Sequence, residues 1–242
     1  MPTETDLISQ LADAQRRGVH PVDATPYAAL DREAAYRVQV GVMQALGAKP
    51  GMLKTGLHSD GVGVVAPIFA DHVGQTGSFQ LPVANVIGLE LEVGLVLGAD
   101  VLEGTDDIDL VDAIDHYFVG IEICGTRYSD RSKAGLNGGL ADSMSALGYV
   151  IDPTHRSSGA DVHNFDVHLE FAGAKIYSAE AKHGFGTVLN SFMTYAKAQR
   201  PEYPLRAGTI ITTGSLCGLV PTSGTGRVVG RLGSHTVEFD IV

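Results

Sequence analysis

Residues 88–100 read GLELEVGLVLGAD. Leu89, Leu91, Val93, Leu95 and Leu97 alternate with Gly88, Glu90, Glu92, Gly94, Val96 and Gly98, the period of a β-strand. Successive strand side chains point to opposite faces, so Glu90 and Glu92 share one face, about 7 Å apart. No Lys or Arg joins them there; the rest of the row is glycine and valine. The glycines are read as leaving empty space beside the two carboxylates.

A second strand, HYFVGIEICG at 116–125, sets Phe118, Gly120, Glu122 and Cys124 on one face. Glu122 is thus a third carboxylate inside an apolar strand. Burying an ionised carboxylate unpaired costs several kcal/mol or drives its pKa up. These strands contain no basic residue, and the nearest, Arg127, lies five positions past Glu122. Three such groups brought together need a positive partner, and a divalent cation supplies one. Oxygen-only ligation favours Mg²⁺, Mn²⁺ or Ca²⁺ over Zn²⁺. The competing reading puts Glu90 and Glu92 on the wet face of an antiparallel strand, and the residues alone leave both open.

The remaining chain frames these strands. Leu7, Ile8, Leu11 and Ala14 predict a helix over 5–17, stopped by Gly18. A second helix is predicted from Asp31, its N-cap, to Leu46, with Gly47 beyond. From Met52 onward short apolar runs alternate with Gly, Asp and Asn. A strand is expected from Val83, a hairpin turns near Gly173, and TVLNSFMTYAKAQR (187–200) reads as a late helix. Residues 205–221 and 225–242 read as strands with glycine turns. The expected organisation is a helical region, 1–50, followed by one β-rich body, 51–242, mostly antiparallel or mixed.

Composition narrows the function. The chain has 242 residues, 44% hydrophobic and 19% charged, with a net charge of −11. That balance argues against nucleic acid or an anionic membrane as partner. No apolar run approaches the roughly 20 residues of a membrane span, and the start lacks a signal-peptide pattern. The two cysteines, Cys124 and Cys217, show no metal-type spacing and read as buried thiols of a cytoplasmic protein.

Six segments in order, REAAYRVQ (32–39), LKTGL (53–57), LELEVGLVL (89–97), GIEICGTRY (120–128), LADSMSALGYVI (140–151) and PLRAGTIITTGSLCGLVP (204–221), carry a resemblance. Over nearly the whole chain the sequence resembles the hydratase and decarboxylase branch of the fumarylacetoacetate hydrolase superfamily. The resemblance implies an α+β fold: a mixed β-sheet roll with helices packed outside and a small N-terminal helical region. It implies Glu90, Glu92 and Glu122 as ligands of Mg²⁺ or Mn²⁺. Lys54, in the family's K-x-G, and Asp142 are implied as catalytic, with Arg127, Ser145 and Ser215 binding substrate. It further implies a small α-keto acid substrate, a homo-oligomer, and association with a pathway enzyme.

Two departures stand out. HSDGVGVVAPIFADHV (58–73) is shorter than the family loop after K-x-G and lacks its Q-P-D-[FY]-G pattern. Ser143 replaces an Asn of the family. Both concern the part that reads the far end of the substrate.

The expected activity is hydration of a short 2-hydroxy-2,4-dienoate or its 2-keto tautomer. Decarboxylation of a vinylogous keto acid comes second and acylpyruvate hydrolysis third. A non-catalytic partner subunit of a hydratase–decarboxylase complex is the alternative from another class. The nine histidines form no zinc-protease motif. His58 and His72 flank the altered loop and are read as surface groups, as is the charge of DRSK (130–133). His183 before the late helix is a further catalytic candidate. GVGVV, GLNGG and TSGTGR lack a Walker lysine and are read as turns.

Overall fold

The computed structural model describes residues 2–77, 79–81, 85–156, 162 and 164–242. Val83 and Ala84, where a strand was expected to start, lie outside them. Two helices come first. Helix α1 (Glu4–Arg17) is closed by a capping box between Thr3 and Asp6, and Gly18 ends it at φ 61°. Helix α2 (Arg32–Leu46) begins where Asp31 accepts the Ala34 N–H, and Gly47 ends it at φ 65°.

Thirteen strands follow among the described residues. They are β1 (Pro50–Leu57), β2 (Gly63–Phe69), β3 (Val73–Gln75), β4 (Gln80–Leu81), β5 (Val86–Leu97), β6 (Ile114–Gly125), β7 (Ala146–Ile151), β8 (Asp166–Phe171), β9 (Ala174–Glu180), β10 (Ile210–Ser215), β11 (Val220–Pro221), β12 (Gly226–Leu232) and β13 (His235–Ile241). Helices α3 (Asp107–Asp112), α4 (Gly135–Ala141) and α5 (Asn190–Ala196) lie between them. The larger sheet runs β2-β1-β10-β5-β6-β7-β3, with β11 also paired to β5. The smaller runs β4-β13-β12-β8-β9. Pairs β1–β10, β3–β7 and β4–β13 are parallel and the others antiparallel, so both sheets are mixed. This is the expected α+β roll.

The alternation in β5 decides which face does what. Leu89, Leu91, Val93, Leu95 and Leu97 are buried to 1% exposure or less. With Val119, Ile121 and Ile123 of β6 they belong to the same core as Val228, Leu232, Val237 and Phe239 of the smaller sheet. The sheets meet so closely that a Cβ on Gly230 would lie 2.5 Å from Ile121 Cδ1 and 3.0 Å from Leu91 Cδ1. Each of these buried side chains contributes about 1.5–3 kcal/mol. The opposite face of β5 and β6 holds Glu90, Glu92 and Glu122.

Helical packing fixes that second side. Tyr36 of α2 accepts the Val65 N–H of β2 at 3.1 Å, and Gln39 donates to Leu140 O of α4 at 2.8 Å. Helix α5 covers β1 and β2, where a Cβ on Gly63 would meet the Tyr195 backbone N at 2.5 Å. Gly63 therefore belongs to a strand rather than to the turn read from GVGVV. GLNGG, also read as a turn, is helical: Gly138 packs against Tyr27, and its carbonyl accepts the Tyr128 hydroxyl at 2.8 Å. Tertiary contact there overrides the low helix propensity of three glycines. The late helix is shorter than the expected 187–200. No helix among the described residues is long and apolar enough to cross a membrane.

Candidate active site

Strand register assembles the carboxylates. Glu90 of β5 stands directly opposite Glu122 of β6, and Glu122 is opposite Tyr149 of β7. Lys54 of β1 stands opposite Thr212 of β10, which stands opposite Gly94 of β5. The Lys54 row, which continues to Phe118 of β6, holds no glutamate, and the lysine reaches along the sheet to the row of Glu90 and Glu122. Lys54 Nζ donates to Glu122 Oε1 at 2.6 Å and lies 3.7 Å from Glu90 Oε2. It also donates to Met144 O at 3.3 Å.

The group is electrostatically unbalanced. One ammonium faces three carboxylates, two of them, Glu92 and Glu122, fully buried. Burial and the neighbouring glutamates push Glu92 well above the usual carboxylate range, against Lys54 and a hydrogen bond from Thr212. Burial likewise pushes Glu122 up to about 7, with Lys54 opposing and Glu90 reinforcing. Lys54 is pulled up: burial opposes its charge, but Glu122 and Glu90 outweigh it, so it is held as an ammonium. Burial keeps Cys124 a thiol, 3.5 Å from Glu122 Oε1.

The donor set fits a hard divalent cation. Glu92 Oε1 and Glu122 Oε2 are buried and have no hydrogen-bond partner among the described residues. The ligand atoms of Glu90, Glu122 and Cys124 lie within 4.8 Å of one another. Glu92 is not in that tight group, and its other oxygen accepts the Thr212 hydroxyl. The oxygen-only shell expected from the sequence therefore has a protonated sulfur beside it.

The glycines do not leave empty space. A Cβ on Gly94 would lie 2.2 Å from the Phe118 ring and 2.7 Å from Ile211 O. One on Gly120 would lie 2.2 Å from the Tyr149 ring, and one on Gly88 would meet Leu219 and Val220. They admit neighbouring side chains, and Phe118 and Tyr149 join a small apolar cluster with Met52 and Ile68.

The group opens into a cleft of about 380 Å³ lined by Lys54, Glu90, Met144, Phe185 and Ser215 among others. Ser215 is internally engaged, donating to Gly218 O at 3.1 Å and accepting the Cys217 N–H at 3.2 Å. Ser145 lines a smaller hollow at the carboxylate end, about 110 Å³, and its buried hydroxyl has no partner among the described residues. Ser143, Met144 and Ser145 all take left-handed φ values of 51°, 53° and 66°. Such non-glycine residues cost about 1–3 kcal/mol each, and this turn places the Met144 carbonyl against Lys54. Asn tolerates that region better than Ser does, so Ser143 replaces the family's Asn at a demanding position.

Arg127 and Asp142 lie elsewhere, and neither lines the cleft. Arg127 Nε and Nη2 donate to the Asp142 carboxylate and carbonyl, and Nη1 donates to Ala146 O and Gln15 Oε1. Asp142 also accepts the Thr126 hydroxyl at 2.7 Å. His72 is bound to Leu147 O at 2.7 Å, outside the cleft. His183 is buried without lining the cleft, and its Nδ1 accepts the Phe185 N–H at 3.2 Å. Two residues read as surface groups do line it, His58 and Arg131. Arg131 reaches both the cleft and the smaller hollow. Its position follows from the turn before α4, which the sequence read as exposed charge.

No family model matches the sequence. Solved structures do match the fold. The 4-oxalocrotonate decarboxylase from Pseudomonas putida G7, complexed with magnesium and adipate, superposes with a TM-score of 0.79 at 20% identity, covering 100% of this chain and 99% of the enzyme. A 2-hydroxyhepta-2,4-diene-1,7-dioate isomerase from Mycobacterium marinum gives 0.57 at 18% identity, covering 79% and 73%. The maleylpyruvate hydrolase from Sphingobium sp. SYK-6 gives 0.51 at 17% identity, covering 79% and 70%. The chain has the fold of the fumarylacetoacetate hydrolase superfamily.

Proposed function

We propose that this protein is a divalent-cation-dependent lyase of that superfamily, adding water to a short 2-keto-4-enoate through its 2-hydroxy-2,4-dienoate tautomer. The observation that carries the reading is Lys54, held 2.6 Å from Glu122 and 3.7 Å from Glu90 beside unpartnered carboxylate oxygens at the head of a cleft. Glu90, Glu122 and the free oxygen of Glu92 would hold Mg²⁺ or Mn²⁺. A bound cation would supply Lewis-acid stabilisation of negative charge at the substrate's 2-oxygen.

The chain's own groups do the rest. The Lys54 ammonium donates a hydrogen bond to the substrate carboxylate or 2-oxygen, where charge develops as the dienol ketonises. Arg131, which lines both hollows, would offset the substrate's negative charge. Leu57, Val64, Leu140, Met144 and Phe185 wall the diene carbons and exclude water from all but the open side. A second reading, decarboxylation, is favoured by the full-length fold match to a decarboxylase, against about four-fifths coverage for the isomerase and hydrolase.

The test is substrate depletion with Mg²⁺ and three compounds: 2-hydroxypenta-2,4-dienoate, 2-hydroxymuconate and an acylpyruvate. Loss of diene absorbance on the first supports hydration. Carbon dioxide release from the second supports decarboxylation. Turnover of the third alone, or no cation dependence, overturns the lyase reading.

A further inference from the structure

Each fully buried glutamate of the cluster has one oxygen held and one left over. Glu122 Oε1 accepts the Lys54 ammonium at 2.6 Å, and Oε2 has no partner among the described residues. Glu92 Oε2 accepts the Thr212 hydroxyl, and Oε1 has no partner among the described residues. Lys54 belongs to the proposed chemistry, and Thr212 does not. It lies fully buried on β10, opposite Gly94 of β5 and one row along the sheet from Glu92.

Tyr149 backs the threonine. It stands on β7 opposite Glu122, and its ring crosses to the next row, where Gly120 of β6 stands opposite Glu92. A Cβ at Gly120 would collide with that ring and lie 2.7 Å from its hydroxyl oxygen, so the glycine lets the ring through. The ring is fully buried and packs edge-on to Phe118, with centroids 6.2 Å apart. The Tyr149 hydroxyl thereby comes 3.3 Å from Thr212 Oγ1. A threonine hydroxyl has a single proton, and an ionised carboxylate only accepts. With a cation bound, that proton therefore goes to Glu92, and Tyr149 donates its own to Thr212. The donors run from Tyr149 to Thr212 to Glu92 Oε2.

We infer that Thr212, oriented by Tyr149, is a positioning residue that fixes Glu92 as a one-oxygen ligand and so biases the site toward Mg²⁺ and against Ca²⁺. The inference rests on the cation reading above and goes beyond it to the choice of ion. Ca²⁺ takes about six to eight oxygens in flexible geometry, often both oxygens of one carboxylate. Mg²⁺ takes about six in a strict octahedron and keeps several of them as water. With Glu92 Oε2 committed to Thr212 and Glu122 Oε1 to Lys54, each buried glutamate offers only its remaining oxygen. Released from Thr212, Glu92 would offer the second oxygen that Ca²⁺ can use.

Calorimetric titration of the full chain with Mg²⁺ and, separately, with Ca²⁺ tests this, the readout being the ratio of the two affinities. Thr212→Val keeps the side chain's shape and removes the hydroxyl. It should weaken Mg²⁺ binding about tenfold or more, the usual effect of removing a metal ligand's own partner. Ca²⁺ binding should hold or tighten, so the ratio moves about tenfold or more toward Ca²⁺. Thr212→Ser keeps a hydroxyl and should retain the wild-type ratio. Tyr149→Phe leaves Thr212 without its donor and should move the ratio the same way by less. An unchanged ratio in Thr212→Val, including an equal loss for both ions, overturns the assignment, as does a shift that Thr212→Ser reproduces. If the valine variant does not fold, an unchanged ratio in Tyr149→Phe overturns it. Wild-type protein that binds neither ion overturns the cation reading itself, and this inference with it.

Discussion

Two buried charged clusters sit within one β-body and differ in kind. Around Arg127 the account closes: one guanidinium meets one carboxylate, and carbonyls and a Gln side chain take the remaining donors. Around Lys54 it does not: one ammonium meets three carboxylates, and two buried oxygens are left over. The closed pair locks the segment between β6 and α4 to the turn after α4. The open cluster retains capacity for something that is not part of the chain. Burial alone does not separate the two, since Arg127, Asp142, Lys54, Glu92 and Glu122 are all buried. Charge balance and unpaired atoms do.

The sharpest way to break that contrast is to open the closed pair. Arg127→Met strands the Asp142 carboxylate, and breaking a buried pair costs about 3–5 kcal/mol. Urea unfolding should show the loss with or without Mg²⁺, and a variant as stable as wild type but catalytically dead would move Arg127 into the active site. Next in size is Lys54→Met. It should lower kcat about a hundredfold or more, the range of general acid–base and charge-stabilising groups, while Mg²⁺ affinity changes little. Unchanged kcat would remove Lys54 from the mechanism, and a borohydride-trapped adduct on it would replace the proposed chemistry with an imine.

Cation binding sharpens the comparison from the other side. Mg²⁺ at 100 times its Kd should stabilise the wild type by about 2.7 kcal/mol. Glu122→Gln should abolish that gain, because a proposed ligand is gone. A melting temperature indifferent to millimolar Mg²⁺ in the wild type would sink the cation assignment.

The smallest expected effect concerns His183, buried with no charge partner. Burial pushes it down to about 4 from 6.5. Between those values the unfolded chain takes up a proton that the native state refuses, so stability is full above pH 6.5 and falls as pH drops toward 4. His183→Asn should flatten that limb of a pH series of urea midpoints. An unchanged slope would assign the acid sensitivity to other groups.

Local pattern carried much of this protein. Period-two alternation in residues 88–98 gave the strand, its apolar face and the shared face of Glu90 and Glu92, because strand geometry depends only on neighbours along the chain. The cap at Asp31 and the stops at Gly18 and Gly47 gave the helices for the same reason. The motifs that pointed to Lys54 and the three glutamates did so through family resemblance.

What lies across from what was not legible. The glycines beside Glu92 looked like ligand space, but Phe118 and Tyr149 fill it from strands whose register only long-range pairing sets. Lys54 reaches Glu122 because β1 adds parallel to β10, itself paired to β5, and nothing local encodes that order. Arg131 is exposed, as its charge suggested, and His58 is half-buried; that both line the cleft depends on which segments pack together. The sequence determined the strands, their two faces and the residue types available for chemistry, all consequences of backbone geometry over a few residues. The tertiary structure alone decided which charges balance, which oxygens stay unpaired and which side chains share a cleft, because those depend on contacts between segments scores of residues apart.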